Sequence, residues 1–171
     1  MKTGELTNFV SKLKQPYVLI FIGPPLSGKD WILKQMDLSN TFVISRDQIV
    51  LDIYGSDNYT EAFQNVNQKE VDTQLQLELT EAGEAGKNVI VNMTNMTSKR
   101  RRHNLSYFGN QYTKIAIIFP ILEWDEYKRR NEKRQMEENK FIPEGVIRNM
   151  IGSYQPIREE EDFNKIISLE F

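Results

Sequence analysis

The sequence predicts an α/β fold, a three-layer sandwich with a central parallel sheet of about five strands between helices. Three observations carry that expectation. Five short apolar runs recur along the 171 residues, and the stretches between them read as helices. The first run, YVLIFI at Tyr17–Ile22, is apolar throughout and stops at Gly23, as a strand buried on both faces must. Strands alternating with helices are joined by right-handed crossovers, which build a parallel sheet covered on both sides.

The elements follow in order. Residues 1–15 read as a helical N-terminal extension ahead of the first strand. A helix over 30–36 leads to a second strand, TFVI at Thr41–Ile44, and a further helix over 48–54. The polar, turn-rich GSDNYT at 55–60 reads as a mobile loop, and one long helix is expected over 61–82. The strand NVIV at Asn88–Val91 precedes a helix over 98–108, and KIAIIF at 114–119 precedes helices over 123–134 and 143–151. Pro143 suits a first helical turn, where its missing N–H costs nothing. KIISL at 165–169 closes the sheet. Without repeats or low-complexity tracts, a single domain over 1–171 accounts for the chain.

Composition narrows the class. Hydrophobic residues at 39% and charged residues at 27% are the balance of a globular protein. The 22 basic and 24 acidic residues leave a net charge of -2, so no molecule-wide field attracts polyanions. Any nucleic-acid contact must then come from local clusters. The absence of cysteine excludes disulfides and thiolate metal sites. The N-terminal MKTGELTNFVSKLK lacks the apolar core of a signal peptide, and every apolar run is too short for a membrane span. A cytoplasmic protein with no membrane partner is expected. His103, the only histidine, reads as a surface residue.

Gly23-Pro24-Pro25-Leu26-Ser27-Gly28-Lys29 follows the first strand directly and precedes a helix. A glycine at each end lets the backbone curl so that its N–H groups face phosphate oxygens. The helix N-terminus adds partial positive charge, and Lys29 neutralises the β- and γ-phosphates. An ordinary glycine-rich turn leaves that combination of strand, spacing, lysine and helix unaccounted for. The segment is a P-loop, and it predicts that residues Gly23, Pro24, Pro25, Leu26, Ser27, Gly28, Lys29 and Asp30 bind ATP with Mg²⁺. Two positions depart from the usual pattern. Asp30 stands where a Ser or Thr hydroxyl ordinarily ligates Mg²⁺. A carboxylate is also a hard-oxygen ligand, so Asp30 is the candidate metal ligand, and its charge should weaken nucleotide binding in the absence of metal. Leu26 stands where many such loops have glycine. Some small nucleotide-type kinases resemble this chain in carrying Gly-Lys-Asp.

Beyond the loop, the order of features after Tyr17 resembles the polynucleotide 5′-hydroxyl kinases, both the bacteriophage enzyme and the kinase domain of the animal polynucleotide kinase-phosphatase. The resemblance rests on Ile44-Ser45-Arg46-Asp47, on Thr94-Asn95 followed by Lys99-Arg100-Arg101, and on Tyr127-Lys128-Arg129-Arg130-Asn131-Glu132-Lys133-Arg134. It continues through Ile142-Pro143, Val146-Ile147 and Met150 to Tyr154-Gln155-Pro156 and Glu161-Asp162-Phe163. The resemblance implies a P-loop NTPase fold of the nucleoside-kinase-like kind, with a helical lid over about 128–142. The nucleotide-binding-like domain of heterogeneous nuclear ribonucleoprotein U is similar in the same places, so likeness alone does not imply catalysis.

The family's aspartate that orients and deprotonates the attacking hydroxyl falls on Asp47, just past the second strand, where open α/β sheets bind ligands. Asp47 could equally cap the helix that follows. The phage enzyme has an arginine three positions later to grip the acceptor phosphate; here that position is Val50. The family's lid arginines fall on Arg130 and Arg134, which at four apart share a helix face. Interleaved Glu132, Glu137 and Glu138 leave a solvated charged face as the alternative. The catalytic set is therefore Asp47, Lys29, Arg134 and Arg130. The basic run at 99–103 could hold an acceptor's phosphates or form the wet first turn of a helix. Arg101 is its candidate, with Arg46 and Asn95, for acceptor binding. The family often has an aspartate just before Thr-Asn, and Met93 replaces it. These residues imply a kinase for the 5′-hydroxyl of DNA or RNA. A kinase for a nucleoside, nucleotide or modified base, and a non-catalytic nucleotide-binding module, stay open, as do nucleotide preference and oligomeric state.

Overall fold

The computed structural model describes residues 1–170. Helix α1 (Thr3–Val10) precedes strand β1 (Tyr17–Ile22), α2 (Lys29–Leu33), β2 (Thr41–Ile44) and α3 (Arg46–Tyr54). There follow α4 (Tyr59–Asn65), α5 (Gln68–Ala85), β3 (Asn88–Val91), α6 (Ser98–Leu105), β4 (Thr113–Ile118), α7 (Trp124–Glu138), α8 (Glu144–Gly152) and β5 (Lys165–Ser168). The five strands form one sheet in the order β2-β3-β1-β4-β5, and every neighbouring pair is parallel.

The apolar run of β1 explains its central place. All six residues are buried; Val18, Ile20 and Ile22 enter one core, while Tyr17, Leu19 and Phe21 enter the core on the opposite face. The first core is completed by α3, α4, α5 and α6, through Val50, Ala62, Leu75, Leu79 and Leu105. Helices α1 and α2 supply Leu6, Val10 and Ile32 to the second. The N-terminal extension thus joins the core through α1, and the Met1 ammonium donates to the Ser168 carbonyl at 2.9 Å. Full burial of one such aliphatic side chain stabilises by about 1.5–3 kcal/mol, so a strand apolar on both faces is favoured at the centre of the sheet. Strands β2 and β5 are edges, and Phe42, Val43 and Ile166 stay exposed. Among the described residues, no helix is long and apolar enough to cross a membrane.

Several boundaries differ from the sequence expectation, each for a local reason. The helix expected over 61–82 is two helices, because the Asn67 side chain accepts from the Lys69 N–H at 3.0 Å and caps a new start. The break at 55–60 is shorter than its composition suggests, since the Asn58 side chain caps α4 by accepting from the Glu61 N–H. Helix α6 ends three residues early, and α7 runs on to Glu138. Because all strands run in parallel, the segments after β1, β2 and β3 gather at the carboxyl ends of the strands. Those segments carry the P-loop, Asp47 and residues 92–95.

Candidate functional site around the P-loop

The loop at 23–29 is tightly built. A Cβ on Gly23 would come within 2.7 Å of the Phe119 Cβ and 2.9 Å of the Ser27 Oγ, so only glycine fits there. Gly28 has φ 98°, which likewise favours glycine. Leu26 also adopts a left-handed conformation, with φ 64°. That explains why glycine is usual at this position, and leucine costs about 1–2 kcal/mol there. The Lys29 ammonium donates to the carbonyls of Gly23 at 2.9 Å and Pro24 at 2.6 Å, and to the Ser27 Oγ at 3.3 Å. Burial lowers its pKa to about 8, despite the nearby carboxylates of Asp30 and Asp47. Arg134 and Lys140 act on it in the same direction as burial. The four charges that act on Lys29 come from α2, α3, α7 and the segment after α7, so the fold gathers them around one lysine.

Helix α7 reaches the P-loop through its arginines. Arg130 donates to the Leu26 carbonyl at 3.0 Å and to Glu126 at 2.7 Å. Arg134 lies 3.7 Å from the Asp30 carboxylate and donates to Glu138 at 3.0 Å. The shared face read from the spacing is therefore the face turned to the loop. The other oxygen of Asp30 accepts from the Asn92 amide at 2.9 Å. Met93 packs on the core instead, so the polar position facing Asp30 at the end of β3 is Asn92.

Asp47 lies in the first turn of α3, and the helix is capped by Ser45, whose Oγ accepts from the Gln48 N–H. Capping is thus not the role of Asp47. One carboxylate oxygen accepts from the Lys140 ammonium at 3.0 Å and the other from the Tyr59 hydroxyl at 2.8 Å. Loss of water around the carboxylate favours its neutral form, but the Lys140 charge and the two hydrogen bonds outweigh that and hold its pKa below the usual range. Burial, reinforced by the same contact with Asp47, pushes the Tyr59 hydroxyl well above its ordinary value. The Lys140 ammonium also sits 3.7 Å from the Tyr59 ring centroid. The Asp47 side chain nevertheless remains 56% exposed, which leaves an acceptor room to approach.

Lys140 and Tyr59 were not read from the sequence as site residues. Lys140 is brought in by a reversal after α7. Asn139 ends the helix with φ 50°, and the Asn131 side chain clamps Ile142 by donating to its carbonyl and accepting from its N–H. An asparagine closing a charged helix just before Pro143 was the available signal for that turn.

The three residues expected to bind the acceptor fare differently. Arg101 is fully buried and bonds bidentately to Glu161 at 2.6 and 2.7 Å, with further bonds to the carbonyls of Asn95, Met96 and Pro156. It is a structural ion pair, and its expected contact with an acceptor is corrected. Its neighbours Lys99, Arg100, Arg102 and His103 are the exposed members of the run. Asn95 is also fully buried; it donates to the Phe21 carbonyl at 2.8 Å and accepts from the Asn104 amide at 2.8 Å. It ties β1 to α6 and is closed to an acceptor. Arg46 is partly exposed and donates to Gln68 at 2.8 Å and Asp72 at 3.1 Å, which locks α3 to α5 beside Asp47. Val50 is fully buried in the core, so its position offers no contact to an acceptor.

A family model described as an AAA domain matches residues 18–157, from β1 to just past α8. The chain belongs to that AAA domain family. No curated protein matches the sequence. Among solved structures, this AAA domain is similar to a chain of the Pnkp1/Rnl/Hen1 RNA repair complex, with a TM-score of 0.64 and 22% identity over 89% of this chain and 48% of that one. The AAA domain thus spans about half the length of that relative. It is also similar to Kti12 of Chaetomium thermophilum in complex with ADP-AlF3, with a TM-score of 0.60 and 13% identity over 88% of each chain. A gluconokinase of Sinorhizobium meliloti 1021 is similar at a TM-score of 0.50 and 11% identity, over 91% of this chain and 83% of that one. At such identities the likeness shows the fold alone, which is that of a P-loop NTPase.

Proposed function

We propose that this AAA domain transfers the γ-phosphoryl group of ATP to an acceptor hydroxyl, in the cytoplasm, and that the acceptor is the 5′-hydroxyl of DNA or RNA. The observation that carries the reading is Asp47, an ionised and half-exposed carboxylate whose charge acts on the P-loop lysine. The acceptor oxygen attacks the γ-phosphorus while Asp47 takes its proton. The bond to the bridging oxygen breaks, and ADP leaves with the electron pair. Lys29 and the loop N–H groups at 26–29 hold the β- and γ-phosphates, since Pro24 and Pro25 have none and that of Gly23 goes to the Thr94 carbonyl, and Arg130 and Arg134 meet charge that grows on the migrating group. Mg²⁺, with Asp30 as its candidate ligand, would add positive charge beside those phosphates. Among the described residues no cluster of three or more His, Cys, Asp or Glu could hold a metal.

The nucleic-acid acceptor is supported by the resemblance in motif order and by the likeness to the RNA repair complex. A second reading, a nucleoside, nucleotide or other small acceptor, is favoured by valine at position 50, where the phage enzyme has its phosphate-gripping arginine, and by the burial of Arg101, which takes away an expected phosphate contact. Incubation with γ-labelled ATP and Mg²⁺ against 5′-hydroxyl DNA, 5′-hydroxyl RNA and free nucleosides tests both. Label on the oligonucleotides supports the first, and label on nucleosides alone supports the second. ATP binding with no label transferred would identify a non-catalytic binding module.

A further inference from the structure

The residue that follows β3, Asn92, is left unused by the phosphotransfer reading. In P-loop NTPases the cation is commonly held between a hydroxyl that follows the loop lysine and a carboxylate from a neighbouring strand end. Here the residue after Lys29 is the carboxylate Asp30, and the residue at the end of β3 is the neutral amide Asn92. The two are in contact, the Asn92 Nδ2 donating to the Asp30 Oδ1 at 2.9 Å. That bond fixes the amide's orientation, because its other face would set oxygen against carboxylate. The Asn92 Oδ1 is buried and has no hydrogen-bond partner among the described residues. A buried acceptor left unpaired is destabilising, and such atoms mark places that a water or an ion completes.

Strand parity places Asn92 there. Val89 and Val91 face the core under α3 to α6, and Met93 packs against the same core. Ile90 faces the opposite side, where α2 contributes Ile32 and Leu33. Asn92 continues the parity of Ile90, towards the helix that carries Asp30.

We propose that Asp30 and Asn92 form one divalent-cation site with their chemical roles exchanged. Asp30 on α2 supplies the single negative charge, and Asn92 at the end of β3 supplies the neutral oxygen, directly or through a cation-bound water. The exchange keeps the charge of the site at one carboxylate, which accounts for a P-loop that carries aspartate after its lysine. The inference rests on the phosphotransfer reading, since the nucleotide's phosphates complete the site.

The test is a reciprocal swap read by binding rather than turnover. ATP affinity is measured with Mg²⁺ and with a chelator in the wild type, Asp30→Ser, Asn92→Asp and the double variant Asp30→Ser/Asn92→Asp. Wild type should bind at least about tenfold more tightly with Mg²⁺, and Asp30→Ser should lose most of that ratio. The double variant should regain it to within about threefold, although each single change alters it. Asn92→Asp alone, with two carboxylates together, should hold Mn²⁺ without nucleotide more tightly than wild type does, as read by the loss of free Mn²⁺ signal in electron paramagnetic resonance. A double variant no better than Asp30→Ser overturns the exchange, as does Mn²⁺ affinity unmoved in Asn92→Asp. Wild type that binds ATP equally with and without metal also overturns it, but leaves nucleotide binding intact. Wild type that binds no ATP in either condition overturns the phosphotransfer reading, and the exchange with it.

Discussion

Asp47 and Lys140 lie 93 residues apart in the chain, and their side chains meet at 3.0 Å. The contact joins the first turn of α3 to the segment that follows α7, so the position of α7 and the charge of Asp47 are coupled. The ammonium keeps Asp47 ionised below the usual carboxylate range. Its acid limb of activity should therefore lie below that of an ordinary aspartate. Lys140→Met removes the charge and keeps the stem, so the limb should move up towards the usual value. A profile of transfer rate against pH reads that shift. A rate loss with an unmoved limb would mean that Lys140 serves only to hold the loop.

Lys29 gives the opposite pH signature. Its pKa is lowered to about 8 in the free protein, chiefly by burial, while ATP phosphates favour its charged form. ATP affinity should be level with respect to this group below pH 8 and fall as pH rises past it, by up to about tenfold per unit. The folding term has its own sign. Between about 8 and 10.5 the unfolded chain binds more protons at this site, so Lys29 adds to stability as pH rises through that window. Calorimetric ATP titrations from pH 6.5 to about 9.5 check the binding term.

Arg101→Ala should act on stability. Both side chains of the Arg101–Glu161 pair are fully buried, and removing one partner strands a charge. The cost should be about 3–5 kcal/mol, measured by urea unfolding. Burial works against ionisation of Glu161, but its hydrogen bonds from Arg101 outweigh it and lower the pKa. Its contribution is present above the ordinary carboxylate value and is lost as pH falls through the folded value. A stable Arg101→Ala variant with weakened acceptor binding would restore Arg101 to the site.

Arg134→Ala should lower kcat by about 10²-fold or more and leave the KM for ATP nearly unchanged, if its guanidinium meets charge that develops mainly in the transition state. Steady-state kinetics at varied ATP decides this. An effect confined to KM would assign the arginine to ordinary nucleotide binding.

The central strands were legible because a strand buried on both faces must be apolar at every position, as β1 is. The P-loop was legible because its tight turn needs glycine at 23 and 28, a demand that sequence displays directly. Arg101 was misread because a charged run shows nothing of partners; Glu161, sixty residues on, decides its burial. The break between α4 and α5 hid because apolar residues at Ala62 and Val71 continue across it, and only the cap at Asn67 betrays the restart. Lys140 lies beyond the last turn of α7, where helical spacing no longer says which way a side chain faces. Asn92, by contrast, was within reach, since alternation along β3 sets it opposite to Met93.

The most direct measurement is single-turnover transfer from γ-labelled ATP to 5′-hydroxyl oligonucleotide by wild type and Asp47→Asn, with ATP affinity measured in parallel. Asparagine preserves size but cannot take the hydroxyl's proton, and Ser45 rather than Asp47 caps α3. The account predicts labelled product with wild type, a fall of about 10²-fold or more in Asp47→Asn, and ATP affinity within a fewfold of wild type. Equal rates in the two proteins, or no transfer by wild type to any hydroxyl acceptor while ATP still binds, would contradict it.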